Sequence, residues 1–363
     1  MAGSDFIPAA RIAEHALRDF TARVLRQVGM SEDGAGVTAA VLVASDVRGI
    51  ASHGVARLDY YVTMIADGGI EPRAEPVLVR ESATTAVIDA RNGMGQPAGA
   101  RAMALAIEKA AAHDLGMVVV RHSNHYGIAG YYAMMALERD MIGISLTNTH
   151  TAVAPTGGRA PTYGTNPIAI AVPTVGAIPF VLDMATSVVP RGRLEIAHRR
   201  GEPLAEGWAI DARGRPTIDS DDALLGALLP LGGRAITSGY KGYGLATAVE
   251  ILSAVLPGSL YGPLVHSMWD ASSPSDLGQF FMAINVAAFD EPAAFKERAA
   301  DLLRRIKGSP LAEGAAEILV AGEPEQRATE VARREGVPLE AQVVASLEGL
   351  ATRYGIPSPF TGS

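Results

Sequence analysis

The chain has 363 residues, 48% hydrophobic and 19% charged, enough for a large buried core and for two or more domains. Its formal charge of −8 and pI near 5.5 leave no basic footprint for nucleic acid or an anionic membrane surface. The absence of cysteine excludes disulfides, thiolate metal ligands and a cysteine nucleophile. No apolar run reaches the length of a membrane span, and the opening Met1 to Pro8 lacks the basic-then-apolar pattern of a secretory signal, so a soluble, cytoplasmic protein is expected.

Ile12, Ala16, Phe20, Val24 and Val28 recur at helical spacing and predict a helix over 11–28. Ser31, followed by Glu32 and Asp33, marks a second helix start that continues through Val37, Val41 and Ala44. Further on, His53, Arg57 and Tyr61 stand four residues apart. A helix from about Gly54, with Leu58, Val62 and Ile65 on its apolar face, aligns them on one stripe with Ser52 at the entry. A guanidinium fork near a positive helix N-terminus suits a small carboxylate, and an imidazole suits proton exchange with an adjacent oxygen. The stripe points to a site for a 2-oxo or 2-hydroxy acid. A turn at 68–73 closes this helical segment.

From Pro76 the texture changes. Short β-branched runs at 77–80, 85–89, 117–121, 142–147, 167–172 and 179–183 predict strands, with helices near 97–113 and 127–139. The link between the last two strands is too short for a parallel crossover and predicts a hairpin, so at least part of the sheet is antiparallel. Gly93-Met94-Gly95-Gln96-Pro97-Ala98-Gly99 resembles a dinucleotide fingerprint. However, four residues separate Ile88 from the first glycine, and Arg121 and His122 stand where an acidic residue would end the next strand. The segment reads as a glycine loop capping a helix. After Pro190 an arginine-rich polar stretch runs to Asp222. A helix is expected over about 240–255, a last strand over 280–286, and helices near 292–307 and 339–352.

His122, His125 and His150, with Asp183 or Glu250, lack the spacing of a metal site, and no metal is expected. His125 lies in a glycine-bounded loop where it can meet a ligand. No GxSxG elbow supports a serine hydrolase built on Ser52 and His53. Thr149 after one strand and Asn166 before another suit hydrogen bonding to a ligand amide or ribose, or ordinary turns. Asp183-Met184-Ala185-Thr186-Ser187 reads as a strand-to-helix junction whose N–H groups either receive a pyrophosphate or are capped by Thr186 and Ser187. Gly239-Tyr240-Lys241-Gly242 opens a helix, its glycines serving phosphate approach or close packing.

In order along residues 52 to about 330, six blocks are similar to those of the type-2 malate/L-lactate dehydrogenase family: Ser52-His53-Gly54 with Arg57 and Tyr61, the run from Ser123 to Tyr132, Ala154 to Gly158, Gly164 to Ala169, Leu182 to Ser187, and Gly239 to Gly244. The resemblance implies an NAD- or NADP-dependent oxidoreductase with a non-Rossmann α/β (α+β) fold. Its cofactor domain, 76–287, would carry a largely antiparallel mixed sheet. Residues 1–75 with 288–363 would form a helical domain bearing substrate groups, in a homodimer or higher homo-oligomer. His53 and His125 become candidate proton donors, Arg57 the carboxylate clamp, and Ser52 and Tyr61 the groups that orient the reacting oxygen. Thr149, Asn166, Asp183 to Val189, Tyr240, Lys241 and Ala321-Gly322-Glu323 would surround the dinucleotide. A malate- or lactate-type substrate is expected, the alternatives being sulfolactate, ureidoglycolate or a cyclic imino acid. Thr149 keeps the hydroxyl of the family's usual serine, whereas Pro190 removes a backbone donor. Arg191 and Arg193 either hold a 2′-phosphate or are surface charges, which leaves NAD and NADP both open.

Overall fold

The computed structural model describes residues 8–176 and 178–360. The opening segment before Pro8 and position 177 of the expected hairpin turn lie outside the described residues. Strand β1 (Ala10–Ile12) precedes helices α1 (Glu14–Gln27) and α2 (Glu32–Val47). The first helix starts later than its periodicity predicts because residues 10–12 pair with a strand from the far end of the chain. Ser31 caps α2 as expected, its hydroxyl accepting from Gly34 N at 3.2 Å, with Glu32 and Asp33 in the first turn, where acidic groups favour the helix dipole.

The single helix expected from Gly54 does not form. Two 3₁₀ turns, Ala51–His53 and Val55–Arg57, meet at an extended Gly54, and α3 (Leu58–Ala66) begins only afterwards. The cause is Asp46 on α2, whose carboxylate accepts from Val55 N at 2.8 Å and fills the space beside Gly54. The backbone therefore bends around a buried carboxyl before the helix starts.

Next come β2 (Val77–Glu81), β3 (Thr85–Asp89), α4 (Gly95–His113), β4 (Leu115–Ser123), α5 (Ala129–Met135), β5 (Met141–Thr147), β6 (Ile168–Val172) and β7 (Phe180–Met184). The polar stretch beyond Pro190 holds α6 (Gly192–Arg200), β8 (Ala209–Ile210), β9 (Pro216–Thr217), α7 (Ser220–Leu225) and β10 (Ala227–Leu228). These three strands form a small sheet whose two-residue members leave no periodic signal in the sequence. Helix α8 (Gly239–Glu250) runs on into a π-helical turn, Ile251–Val255, and β11 (Leu277–Asn285) follows. The chain closes with α9 (Pro292–Lys307), α10 (Glu323–Glu335), β12 (Val337–Leu339) and α11 (Ala341–Tyr354).

The main sheet has seven strands in the order β2-β3-β4-β11-β5-β6-β7, and β3–β4 is its one parallel pair. The hairpin β6–β7 is antiparallel, as its short link requires. Strand β11, late in sequence, inserts between β4 and β5 and closes the sheet's centre. The fold is thus mixed α/β with a mostly antiparallel sheet. A β-α-β unit does exist at the glycine loop, but a Cβ on Gly95 would lie 2.2 Å from the Asn124 carbonyl and one on Gly99 2.9 Å from the Tyr132 ring. These glycines let α4 press against the β4 exit and α5, the role of packing glycines. One core cluster joins Leu17, Phe20, Leu42, Leu58 and Tyr61 with Val337, Leu347 and Leu350 from the other end of the chain. Each fully buried leucine there stabilises by about 2 kcal/mol over exposure. Helix α9 lies elsewhere, its Lys296 bonded to Asp140 at 2.9 Å.

Candidate active site

The groups predicted around His53 do converge, through turns rather than along one helix face. The Ser52 hydroxyl lies 2.9 Å from His53 Nδ1, and Arg57 Nε donates to Ser52 O at 2.9 Å. Across the cleft, the loop between β4 and α5 brings His125 so that its Nδ1 lies 2.6 Å from the Tyr61 hydroxyl. The two imidazoles stack with ring centroids 5.6 Å apart at 25°. Both are half-buried, and Tyr61 is fully buried.

Burial and the nearby Arg57 cation push His53 down to about 4. Burial, then His53, Arg57 and His150, hold His125 well below the ordinary histidine range. His150 is lowered too, first by burial and then by Arg191. Both ring systems are therefore neutral at physiological pH, able to take a proton. Arg57 pairs with no carboxylate among the described residues; its guanidinium carbon lies 5.6 Å from the Trp269 ring centroid. Trp269 in turn meets Tyr60 edge-on at 4.8 Å. Trp269 gave no spacing signal in the sequence, and its proximity to Arg57 emerges only from the fold.

Several expected cofactor residues form a second, contiguous polar region. Thr149 N donates to Asn166 Oδ1 at 3.3 Å, Thr165 N donates to the Thr149 hydroxyl at 3.0 Å, and the Thr186 hydroxyl donates to Asn166 O at 3.1 Å. Beneath them the buried carboxylate of Glu250 accepts from Asn166 Nδ2 at 2.5 Å and Gly262 N at 2.7 Å. It organises the region through neutral donors. Asp183, at the end of β7, accepts from Gly130 N at 2.8 Å; burial raises it to about 6, with the Gly130 bond and Arg48 opposing. Met184 pairs with Ile168 in the sheet, and Ala185 leads out of it.

The strand-to-helix junction expected after Asp183 is not there. Thr186 N donates to Thr165 O, Val188 N to Leu229 O, and the Ser187 hydroxyl to Val189 O, while α6 starts only at Gly192. The Thr186 and Val188 N–H groups are consumed by neighbouring backbone, and no helix terminus stands here to face a pyrophosphate. Helix α8 does open at Gly239, where a Cβ would lie 1.9 Å from Gly233 O; on Gly242 it would lie 2.0 Å from Leu231 O. Tyr240 and Lys241 are exposed at this end. Gly322 packs against Val181, whereas buried Glu323 bonds Lys307 and Arg327, away from Tyr240 and Lys241 in its contacts. His122 bonds Asp89 at 2.9 Å. Among the described residues no group of three or more histidine or acidic side chains is arranged to hold a metal ion, and no helix is long and apolar enough to cross a membrane.

Comparison with known proteins places this geometry in context. A family model described as malate/L-lactate dehydrogenase matches residues 12–348. A malate dehydrogenase of Pyrococcus abyssi is 44% identical over 348 residues, covering 95% of this chain and 95% of its own. An L-sulfolactate dehydrogenase of Methanocaldococcus jannaschii is 41% identical over 333 residues, covering 92% and 94%. Among solved structures, malate dehydrogenase from Entamoeba histolytica superposes with a TM-score of 0.93 at 36% identity, over 97% of this chain and 99% of that one.

Proposed function

Because this chain belongs to the malate/L-lactate dehydrogenase family of oxidoreductases, we propose that it interconverts a small 2-hydroxy acid of the malate or lactate type and its 2-oxo acid, with NAD or NADP. The observation that carries the reading is Arg57, a cation without a carboxylate partner among the described residues, set beside two stacked neutral imidazoles. Its fork holds the substrate carboxylate, which fixes C2 in place. His125 exchanges the proton of the C2 oxygen. Its Nδ1 is tied to buried Tyr61, so the ring is aimed with Nε2 left for substrate. His53, tied only to the exposed Ser52 hydroxyl, supplies a second polar contact to the same oxygen.

The residues fit a dinucleotide. The Thr156 hydroxyl is buried without a partner among the described residues and faces Gly239, and Lys241 at the same helix end is exposed. These would take phosphate, while Thr149, on the His150 side of the site and held in place by buried Asn166, would face the nicotinamide end. When bound, the nicotinamide supplies or accepts the hydride at C2. Arg191 is engaged by Glu195 at 3.5 Å and Arg193 is exposed, so both cofactors are tested. The chain works in the cytoplasm as a homo-oligomer. Exposed apolar side chains on the π-helical continuation of α8 and at its end, Ile251, Leu252, Val255 and Leu256, support self-association.

The test is a panel of malate, lactate, sulfolactate and ureidoglycolate, their 2-oxo acids and piperideine-2-carboxylate, against NAD(H) and NADP(H). His125→Asn is expected to lose about a hundredfold or more in kcat, and His53→Asn less. Exclusive turnover of the cyclic imine, or parental rates in both variants, overturns the assignment.

A further inference from the structure

The segment between α8 and β11 delivers an indole to the clamp. Its start is pinned by Gly262 N, which donates to the buried Glu250 carboxylate at 2.7 Å. Further on, Met268 is buried in the core cluster that holds Leu58 and Tyr61. Ala271 sits so close to the end of α3 that a Cβ on Gly69 would lie 2.9 Å from its Cα. Trp269 stands between these two anchors, its backbone N–H donating to the Ser267 hydroxyl at 3.3 Å. The backbone is thus fixed on both sides while the side chain is 58% exposed. Exposure of a single aromatic means little by itself; what the ring touches means more. The guanidinium carbon of Arg57 lies over the indole, 5.6 Å from its centroid, and the buried Tyr60 ring meets the indole edge-on at 4.8 Å.

We infer that Trp269 is a positioning residue: its ring face seats the Arg57 guanidinium and keeps the terminal N–H groups of the fork directed at the substrate carboxylate. This inference rests on the reading of Arg57 as the carboxylate clamp. A guanidinium is planar and its five N–H donors lie in that plane, so the orientation of the plane decides whether two of them meet one carboxylate. Arg57 spends its Nε–H on Ser52 O at 2.9 Å, and its terminal nitrogens close no hydrogen bond among the described residues. One bond at Nε fixes a point but not the plane, because the group can still swing about that bond. An aromatic face at cation–π distance restrains the swing without consuming an N–H. Tyr60 comes from the same segment as Arg57 and braces the indole in turn. The ring therefore orders a cation that would otherwise lose side-chain freedom at the moment substrate binds.

The chain has two tryptophans, so Trp208→Phe leaves Trp269 as the sole indole and makes its emission readable in the full-length protein. Without any ligand, Arg57→Ala in that background is expected to raise quenching of Trp269 by acrylamide, because the guanidinium no longer covers the ring. Oxamate, a carboxylate probe that does not react, is expected to shift the emission saturably, and to shift it far less in Arg57→Ala. With the best 2-oxo acid of the panel, Trp269→Leu should lower kcat/KM roughly threefold to tenfold, mainly through KM, with the KM of the reduced cofactor unchanged. Trp269→Phe keeps an aromatic face and should retain most of the parental value. In an Arg57→Lys background, Trp269→Leu should cost less than about twofold, because an ammonium has no fork to orient. Quenching that is equal with and without Arg57, equal losses in the Leu and Phe variants, or an undiminished loss in the Arg57→Lys background each overturns the inference. Absence of any 2-oxo acid turnover in the parent would remove the functional reading instead, while the quenching comparison and the oxamate shift would still decide whether the indole seats a carboxylate-binding Arg57.

Discussion

Gly54→Ala is the sharpest perturbation of the turn that carries His53. A Cβ there would lie 2.0 Å from Asp46 Oδ1, 2.2 Å from its Cγ and 2.3 Å from Oδ2. Gly54 has an extended backbone that any residue adopts, with φ −87° and ψ −152°, so space alone sets the cost. Relieving the overlap requires a shift of at least about 1 Å. The Asp46 carboxyl cannot retreat freely, because it is buried and accepts from Val55 N at 2.8 Å. Overpacking and the loss of that bond together predict a destabilisation of about 2–5 kcal/mol, read by urea unfolding. Ser52 and His53 share the displaced turn, and a misplacement of about 1 Å predicts a loss of about a hundredfold in kcat/KM. Asp46→Ala should relieve part of the clash, so the double variant is expected to be more stable than the sum of the singles by about 1 kcal/mol or more. A Gly54→Ala protein within about 0.5 kcal/mol of the parent, or strict additivity with Asp46→Ala, would refute the steric argument.

Asp46 itself should leave a pH signature. Burial raises it from 3.8 to about 7 in the folded chain, so the native state holds a proton that the unfolded chain has released. Stability therefore falls as pH rises from about 4 to about 7, by up to about 4 kcal/mol from this group, and Asp46→Asn should flatten that slope in urea titrations at pH 5 and 8. His53 contributes the opposite slope between about 4 and 6.5, and that contribution should survive in Asp46→Asn. Arg57→Lys keeps the charge but loses the fork, and is expected to reduce kcat/KM for a 2-oxo acid by tenfold to a hundredfold, roughly; an unchanged value would mean that the carboxylate is held elsewhere. Ile251→Glu on the exposed apolar face should shift the chain toward monomer in sedimentation velocity, and an unchanged oligomer would place the self-association surface on another face.

Long periodic segments are legible in the sequence itself. Ser31 announces α2 because capping is local chemistry, and the short link after Val172 requires a hairpin because parallel crossovers need length. Elements whose reason to exist is tertiary are not legible. Helix α10 is so polar that it buries only Glu323, Thr329 and Ala332, so no apolar run in the sequence marks it. Strands β8 to β10 are too short for one. The central place of β11 depends on pairings with β4 and β5 that lie far away in sequence. Spacing groups Ser52, His53, Arg57 and Tyr61, which the fold does bring together, but misjudges how they meet. A four-residue period predicts one helical face, while a carboxyl from α2 breaks the backbone at Gly54 and turns the groups inward. Nothing local to residues 51–61 encodes that carboxyl.

The electrostatics of the site follow from the same burial. His53, His125 and His150 are lowered and Asp46 and Asp183 raised, in each case first by removal from water. Every one of these shifts favours a neutral group, so the ionisable side chains around the cleft tend to cancel their own charges. A guanidinium cannot do so, and Arg57 has no carboxylate paired with it among the described residues. On the proposed reading, an anionic substrate meets its main attraction at Arg57, and its carboxylate settles there rather than against a histidine. The neutral imidazoles stay free to take a proton at the C2 oxygen. Once the substrate carboxylate offsets Arg57, the repulsion that lowers both histidines weakens, and an imidazolium becomes easier to form. On the same reading, substrate binding prepares His125 to donate its proton in the reductive direction. The apparent pKa of the His125 ring should accordingly rise in the complex with a non-reacting 2-oxo acid analogue; in Arg57→Ala it should already lie higher without ligand, because the repelling cation is gone, and the analogue should raise it little further.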